Sequence, residues 1–240
     1  MTPTDLIAMA LDNVGLGSTT ARVDRARQYL NEVAQGIYTW GVPVGNTKEH
    51  QPIRWQWAVK EATLTMVAAT RSYSLASDVL EPYESFDTTN DRWVPMTYVS
   101  RLDHWDPDED DTGDAERIAV TGRDATTGYW IVDVYPTPDA TATIRYRYYA
   151  QWVDLTSAND ATDLNAKLPE WLQPALRSGI SEMYLREKGD LESADIQRRV
   201  KEDTVNRAVA RNFHSLGQQA LRLHRPRRRA EYRVQEGSLS

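Results

Sequence analysis

The side chains able to do chemistry in this chain are few in kind and scattered in position. There is no cysteine, which excludes disulfides, thiolate nucleophiles and thiolate-ligated metals and fits a reducing cytoplasm. The four histidines, His50, His104, His214 and His224, lie far apart, and none falls in an HExxH or comparable ligand pair. No GxSxG elbow, Walker loop or GxGxxG turn occurs. Carboxylates are abundant, and two of them placed across a sugar would suffice for glycoside hydrolysis, but nothing singles out a pair. The sequence therefore predicts no enzyme, no cofactor and no metal.

Two charged segments stand out instead. Residues 103–116 carry eight acidic side chains and no Lys or Arg. Asp106, Asp108 and Asp110 alternate like the first ligands of a calcium loop. Asp111 then stands where the sharp turn needs Gly, and Arg117 where a bidentate Glu is needed. A solvated acidic loop, or a surface patch that keeps DNA from sticking, is the expectation.

The other pole is the C-terminus. Net charge is −7, but residues 217–240 hold six Arg and two Glu, leaving 22 basic and 33 acidic residues elsewhere, a body of −11. Arg225, Arg227, Arg228, Arg229 and Arg233 are interspersed with Leu221, Leu223, Tyr232 and Val234. Guanidinium forks suit carboxylates, and apolar residues among them suit a groove, so a docking arm on an acidic protein partner is favoured. Contact with phosphates, which basic clusters also make, and a solvated tail are the alternatives.

The elements that would position these segments are legible from periodicity. Thr2 can cap a first helix, with Pro3 in its first turn, Asp5 at the positive end of the dipole, and Leu6, Ala10 and Val14 at helical spacing. After Gly15-Leu16-Gly17, with Ser18 or Thr19 as cap, Val23, Ala26, Leu30, Val33, Ile37 and Trp40 make a second apolar stripe, closed by Gly41 and Pro43. Residues 44–52 read as a loop, and the period of 53–60 is ambiguous. Period 2 takes over at 63–67, 73–75, 79–86, 93–99, 116–123, 128–135 and, most clearly, 141–150. There Thr141, Thr143, Arg145, Arg147 and Tyr149 share one face, and Ala142, Ile144, Tyr146 and Tyr148 the other, so one side of the sheet should be wet.

Helical spacing returns from Pro169 to Gly189, with Trp171, Leu176, Ile180 and Tyr184 on its apolar side facing Val33 and Ile37. It returns again from Leu191 to about Phe213. The predicted class is α+β, a helical bundle of N- and C-terminal helical hairpins with an inserted antiparallel β-domain and an extended C-terminal arm. The units would be 1–60 plus 165–216 (helical), 61–155 (β) and 217–240 (flexible arm). The N-terminus lacks a basic start with an apolar core, and no apolar run spans a bilayer, so neither a signal peptide nor a membrane partner is expected.

Three stretches in this order resemble the head-to-tail adaptors (head-tail connectors) of podophages, such as tail accessory factors and tail tubular protein A. They are Thr63–Val79 (TLTMVAATRSYSLASDV, with Ala76 in place of the family's proline), Val134–Tyr149 (VYPTPDATATIRYRYY) and Leu168–Gly189 (LPEWLQPALRSGISEMYLREKG). With the N-terminal hairpin the likeness covers most of residues 1–215. It implies a structural virion protein of the neck, assembled in the host cytoplasm. It would form a homo-oligomeric ring, a dodecamer, on the portal protein, close the filled capsid, pass genomic DNA through its channel and carry the next tail or nozzle protein. Leu221, Leu223, Arg225, Arg227, Arg228, Arg229, Tyr232 and Arg233 would then dock on the portal. A DNA-binding protein using the Arg-rich tail and a phage cell-wall hydrolase are the other two classes considered.

Overall fold

The computed structural model describes residues 1–43, 50–98, 111–159 and 161–223. Among them are four α-helices and mostly antiparallel sheets, an α+β fold.

Helix α1 (Pro3–Asn13) starts as its sequence dictates. The Thr2 hydroxyl accepts the Asp5 N–H at 3.2 Å, and the Asp5 carboxylate accepts the Thr2 N–H at 3.0 Å, a reciprocal capping box. Gly15, at φ +65°, turns the chain into α2 (Thr20–Tyr38), where Thr19 occupies the cap position without a side-chain hydrogen bond. Instead of a loop throughout 44–52, β1 (Gly41–Pro43) pairs antiparallel with β2 (His50–Pro52); the intervening residues lie outside those described. Proline is tolerated there because both strands are short edges.

The second helical region enters through a 3-10 turn at Glu170–Leu172 before α3 (Gln173–Glu187) and α4 (Leu191–Leu223). Helix α3 lies against α1, α2 and α4. Leu6, Ala10, Leu11, Leu30, Ala34, Ile37, Leu176, Ile180 and Val205 are buried in one core. Each fully buried Leu or Ile contributes roughly 1.5–3 kcal/mol. Tyr184 is buried as expected, with its hydroxyl on the Arg22 carbonyl at 2.6 Å. Trp171 is a correction: it stays 37% exposed, because the 3-10 turn breaks the helical phase that would have carried it inward, and Arg211 covers its ring at 5.6 Å. Buried Glu182 fastens α3 to α4 through Lys201 at 2.7 Å.

The second core lies between two four-stranded sheets. One has the order β3-β12-β5-β6, from β3 (Val59–Met66), β12 (Ala142–Ala150), β5 (Val79–Asp87) and β6 (Arg92–Trp93). The other has the order β4-β10-β9-β7, from β4 (Ser72–Ser74), β10 (Trp130–Tyr135), β9 (Arg117–Arg123) and β7 (Met96–Tyr98). Ile144, Tyr146 and Tyr148 face inward from β12 toward Val120, Val132 and Val134 of the other sheet, while Arg145 and Arg147 face water. The alternation therefore places each side chain as its type requires.

Pairing is not antiparallel throughout. β7 runs parallel to β9, and β8 (Thr112–Gly113) parallel to β11 (Thr137–Pro138). Parallel neighbours need a long crossover, and the acidic stretch between Tyr98 and Arg117 supplies one.

Side chains lock the helical and β regions together. Asn31 on α2 accepts the Trp152 indole N–H at 3.1 Å and the Leu155 N–H at 2.9 Å, and donates to the Leu155 carbonyl at 3.1 Å. Trp55 donates its indole N–H to the Ile37 carbonyl at 2.9 Å. Within the β region Asp78 takes Lys60 at 2.7 Å and the Tyr148 hydroxyl at 2.9 Å, so its two oxygens are both engaged. Burial first, then this hydrogen bond, pushes the Tyr148 phenol well above its ordinary value.

Candidate docking surfaces

Helix α4 carries the chain toward the basic segment. It is anchored where Ala194, Val205, Ala208 and Asn212 pack inward. Asn212 accepts the Gln56 N–H at 2.9 Å and donates to the Arg54 carbonyl at 3.2 Å, which fixes α4 beside the chain entering β3. At the other end Asp190 accepts the Ser193 N–H at 3.1 Å, and hydrogen bonds from Ser193 hold its carboxyl below the usual range.

The expected end near Phe213 is corrected: helix continues through Gly217 to Leu223. Extension of an already nucleated helix gains a hydrogen bond per residue, and one Gly costs only about 1 kcal/mol. Leu221 and Leu223 thus sit on helical backbone rather than in a flexible arm. Arg225, Arg227, Arg228, Arg229, Tyr232 and Arg233 lie outside the described residues. On the anchored part of α4, Leu191, Ile196 and Val200 are exposed.

Of the acidic segment, Asp106, Asp108 and Asp110 lie outside the described residues. Asp111 is exposed. Its carboxylate accepts the Tyr135 hydroxyl at 2.8 Å and its carbonyl the Thr137 N–H at 2.9 Å, which makes it the anchor where the acidic segment rejoins the sheet. Among the described residues no cluster of His, Asp or Glu has the makings of a metal site. The fully buried Asp87 is a turn cap: it accepts the N–H groups of Thr89 at 2.9 Å and Asn90 at 3.1 Å, and the Asn90 amide at 2.9 Å.

The wet face of the β3-β12-β5-β6 sheet bears the cations that the alternation foretold, but it is not a bare cationic surface. Arg147 bridges Glu61 and Glu84, each at 3.3 Å, Arg145 lies 3.7 Å from Glu61, and Arg54 pairs with Glu81. Cross-strand pairs of this kind contribute about 0.2–1 kcal/mol each and leave little net field to hold a phosphate backbone. Beside them Trp93, 62% exposed, meets Phe86 edge to face at 5.0 Å, and Arg145 lies over the Phe86 ring at 5.5 Å. Sequence reasoning missed this aromatic corner. The signal lay in the two period-2 stretches 79–86 and 93–99, which hold Phe86 and Trp93 but do not show that the two pair.

Two open grooves are among those on the described surface. One of about 240 Å³ is lined by Met1, Leu6, Met9, Gln173, Pro174 and Arg177, and one of about 410 Å³ by Gln28, Asn31, Glu32, Gln35 and Asp154. The first is mainly apolar, and the second is lined by the stems of polar and acidic side chains.

The family model described as SU10 adaptor protein matches residues 1–235. No curated protein matches the chain.

Proposed function

We propose, from the premise that this chain belongs to the SU10 adaptor protein family, that it joins a DNA-filled phage head to its tail. A phage adaptor is a virion part that contacts other phage proteins. No helix among the described residues is long and apolar enough to cross a membrane. In this reading the subunits form a ring on the portal, close the capsid, leave a channel for the genome and offer a platform to the next tail component. The four helices act as two hairpins flanking the inserted β-domain, and they supply the two different side surfaces that a closed head-to-tail ring needs.

The observation that carries this reading is the course of α4. A helix anchored at Asn212 continues to Leu223, and the sequence that follows it holds five further arginines. Leu221, Leu223, Arg225, Arg227, Arg228 and Arg229 are assigned to the portal contact. Single exposed ion pairs are worth only about 0–1 kcal/mol, but many arms on one ring reinforce each other through local concentration. The acidic body, including the Asp106–Asp111 segment, suits a channel that must not grip DNA.

Electron microscopy of the purified chain with and without portal tests the reading. Rings on portal, and none on portal-free grids, are expected. Portal rings that stay bare at saturating protein would refute it.

A further inference from the structure

Strand β3 closes its sheet differently from the other outer strands. Of the two four-stranded sheets, the edges β6, β4 and β7 are two or three residues long, a length that blunts an edge. β3 runs for eight residues, pairs with β12 in unbroken register from Val59↔Tyr149 to Met66↔Ala142, and contains no proline. On its other side no strand pairs with it among the described residues.

Its charges do not guard that edge. Lys60 is held by Asp78, and Glu61 by Arg145 and Arg147, all within the β region. Thr63 and Thr65 are exposed on the wet face. On the core side Ala62 and Leu64 remain half-buried, whereas Ile144, beside Leu64 on β12, is fully buried. A regular edge with an unfinished apolar face is a template for one more strand.

We propose that this strand is β3 of a second copy of the chain, paired antiparallel about a two-fold axis through Thr63. Opposed residues in such a pair share a face, so a one-residue slip would set wet-face residues against core-face ones. Two registers avoid that and still pair nearly all of β3, one with Ala62 on the axis and one with Thr63.

Charge decides between them. With Ala62 on the axis, Glu61 lies diagonal to Glu61 of the other copy, like charge beside like charge, and Leu64 faces Lys60. With Thr63 on the axis, Glu61 faces Thr65, Lys60 faces Met66, Leu64 faces Ala62, and Thr63 faces its own copy. No charged residue of β3 then opposes or lies diagonal to a like charge. Leu64 of each copy completes the apolar face over Ala62 of the other, and the Thr–Thr pair on the wet face is a favourable one. The contact is isologous and closes on itself, so it cannot grow into a ring. It belongs to the chain off the portal and does not rest on the adaptor reading.

The chain contains no cysteine, so single substitutions are clean to read. Across the axis the two α-carbons of residue 63 stand about 4.5–5.5 Å apart, within disulfide reach, whereas those of residue 65 stand about 14 Å apart, beyond it. Full-length Thr63→Cys, oxidised alone at about 0.15 M salt to screen the acidic bodies, should cross-link to dimer mass at least about tenfold faster than Thr65→Cys. As a second readout, the parent should sediment as a dimer at high concentration. Thr63→Lys, which sets two ammonium groups face to face at an exposed position, should weaken that dimer by at least about tenfold. A parent that is monomeric at every concentration would overturn the proposal. So would equal cross-linking at the two positions, or closed rings in place of dimers. All readouts use the chain without portal, so any of these failures leaves the portal test of the adaptor reading standing.

Discussion

Gly179 on α3 and Val33 on α2 touch so closely that a β-carbon on residue 179 would lie 2.6 Å from one Val33 methyl and 2.7 Å from the other. The two helices meet at this seam because one of them has no side chain there. A valine in a helix holds one χ1 rotamer, so it cannot swing aside.

Gly179→Ala gains about 1 kcal/mol of helix propensity and incurs about 1–3 kcal/mol of over-packing. With both methyls struck, the second effect wins, and a net loss of about 1–2 kcal/mol is expected. Val33→Ala in the same chain should recover most of it. Urea unfolding of the single and double variants checks this; a more stable single variant would show that α2 and α3 separate freely.

Leu176 is fully buried among α1, α2 and α3. Leu176→Ala is expected to cost about 2–5 kcal/mol, and the same titration measures it. A loss below about half a kcal/mol would place the residue at the surface.

The capping box makes stability depend on acid. Hydrogen bonds from the Thr2 backbone and hydroxyl hold the Asp5 carboxyl below its ordinary value of 3.8. Between the folded and ordinary values the unfolded chain binds the extra proton, so stability rises with pH there. The contribution is complete above the ordinary value and lost as pH falls through the lower folded one. Asp5→Asn should therefore melt below the parent at pH 7, with the gap shrinking steadily as pH falls below 3.8. A gap that does not shrink as pH falls below 3.8 would mean that charge is not the cause.

A chain ending at Leu223 keeps both described cores and all of α4. Its melting temperature should match the full chain within a degree or so of scatter, while binding to portal, followed by co-sedimentation, should be lost. Undiminished binding would move the contact off the arm.

The sequence by itself determined the elements and the class of protein. Period and caps placed α1 from Thr2, α2 from its stripe of Ala26, Leu30, Val33 and Ile37, and β12 from strict alternation. These are local properties, in which each side chain's hydrophobicity and the backbone's repeat act over a few residues. The missing Cys, nucleophile elbow and paired His were equally legible, and so was the adaptor likeness, carried by three ordered stretches. Of the expected site, Asp111 proved an anchor for the acidic segment, and Leu221 and Leu223 proved helical. Only the tertiary structure decided the rest. Helix α4 outran its stripe because its start was already nucleated and its middle was pinned by Asn212 to Arg54, a contact between residues 158 positions apart that no window can see. Strands β7 and β9 paired in parallel because the long acidic crossover permitted it. The charges of Arg145 and Arg147 were balanced by Glu61 and Glu84 from neighbouring strands, and β3 was left as the one long described edge, because register and strand order follow from how the whole chain buries its apolar faces.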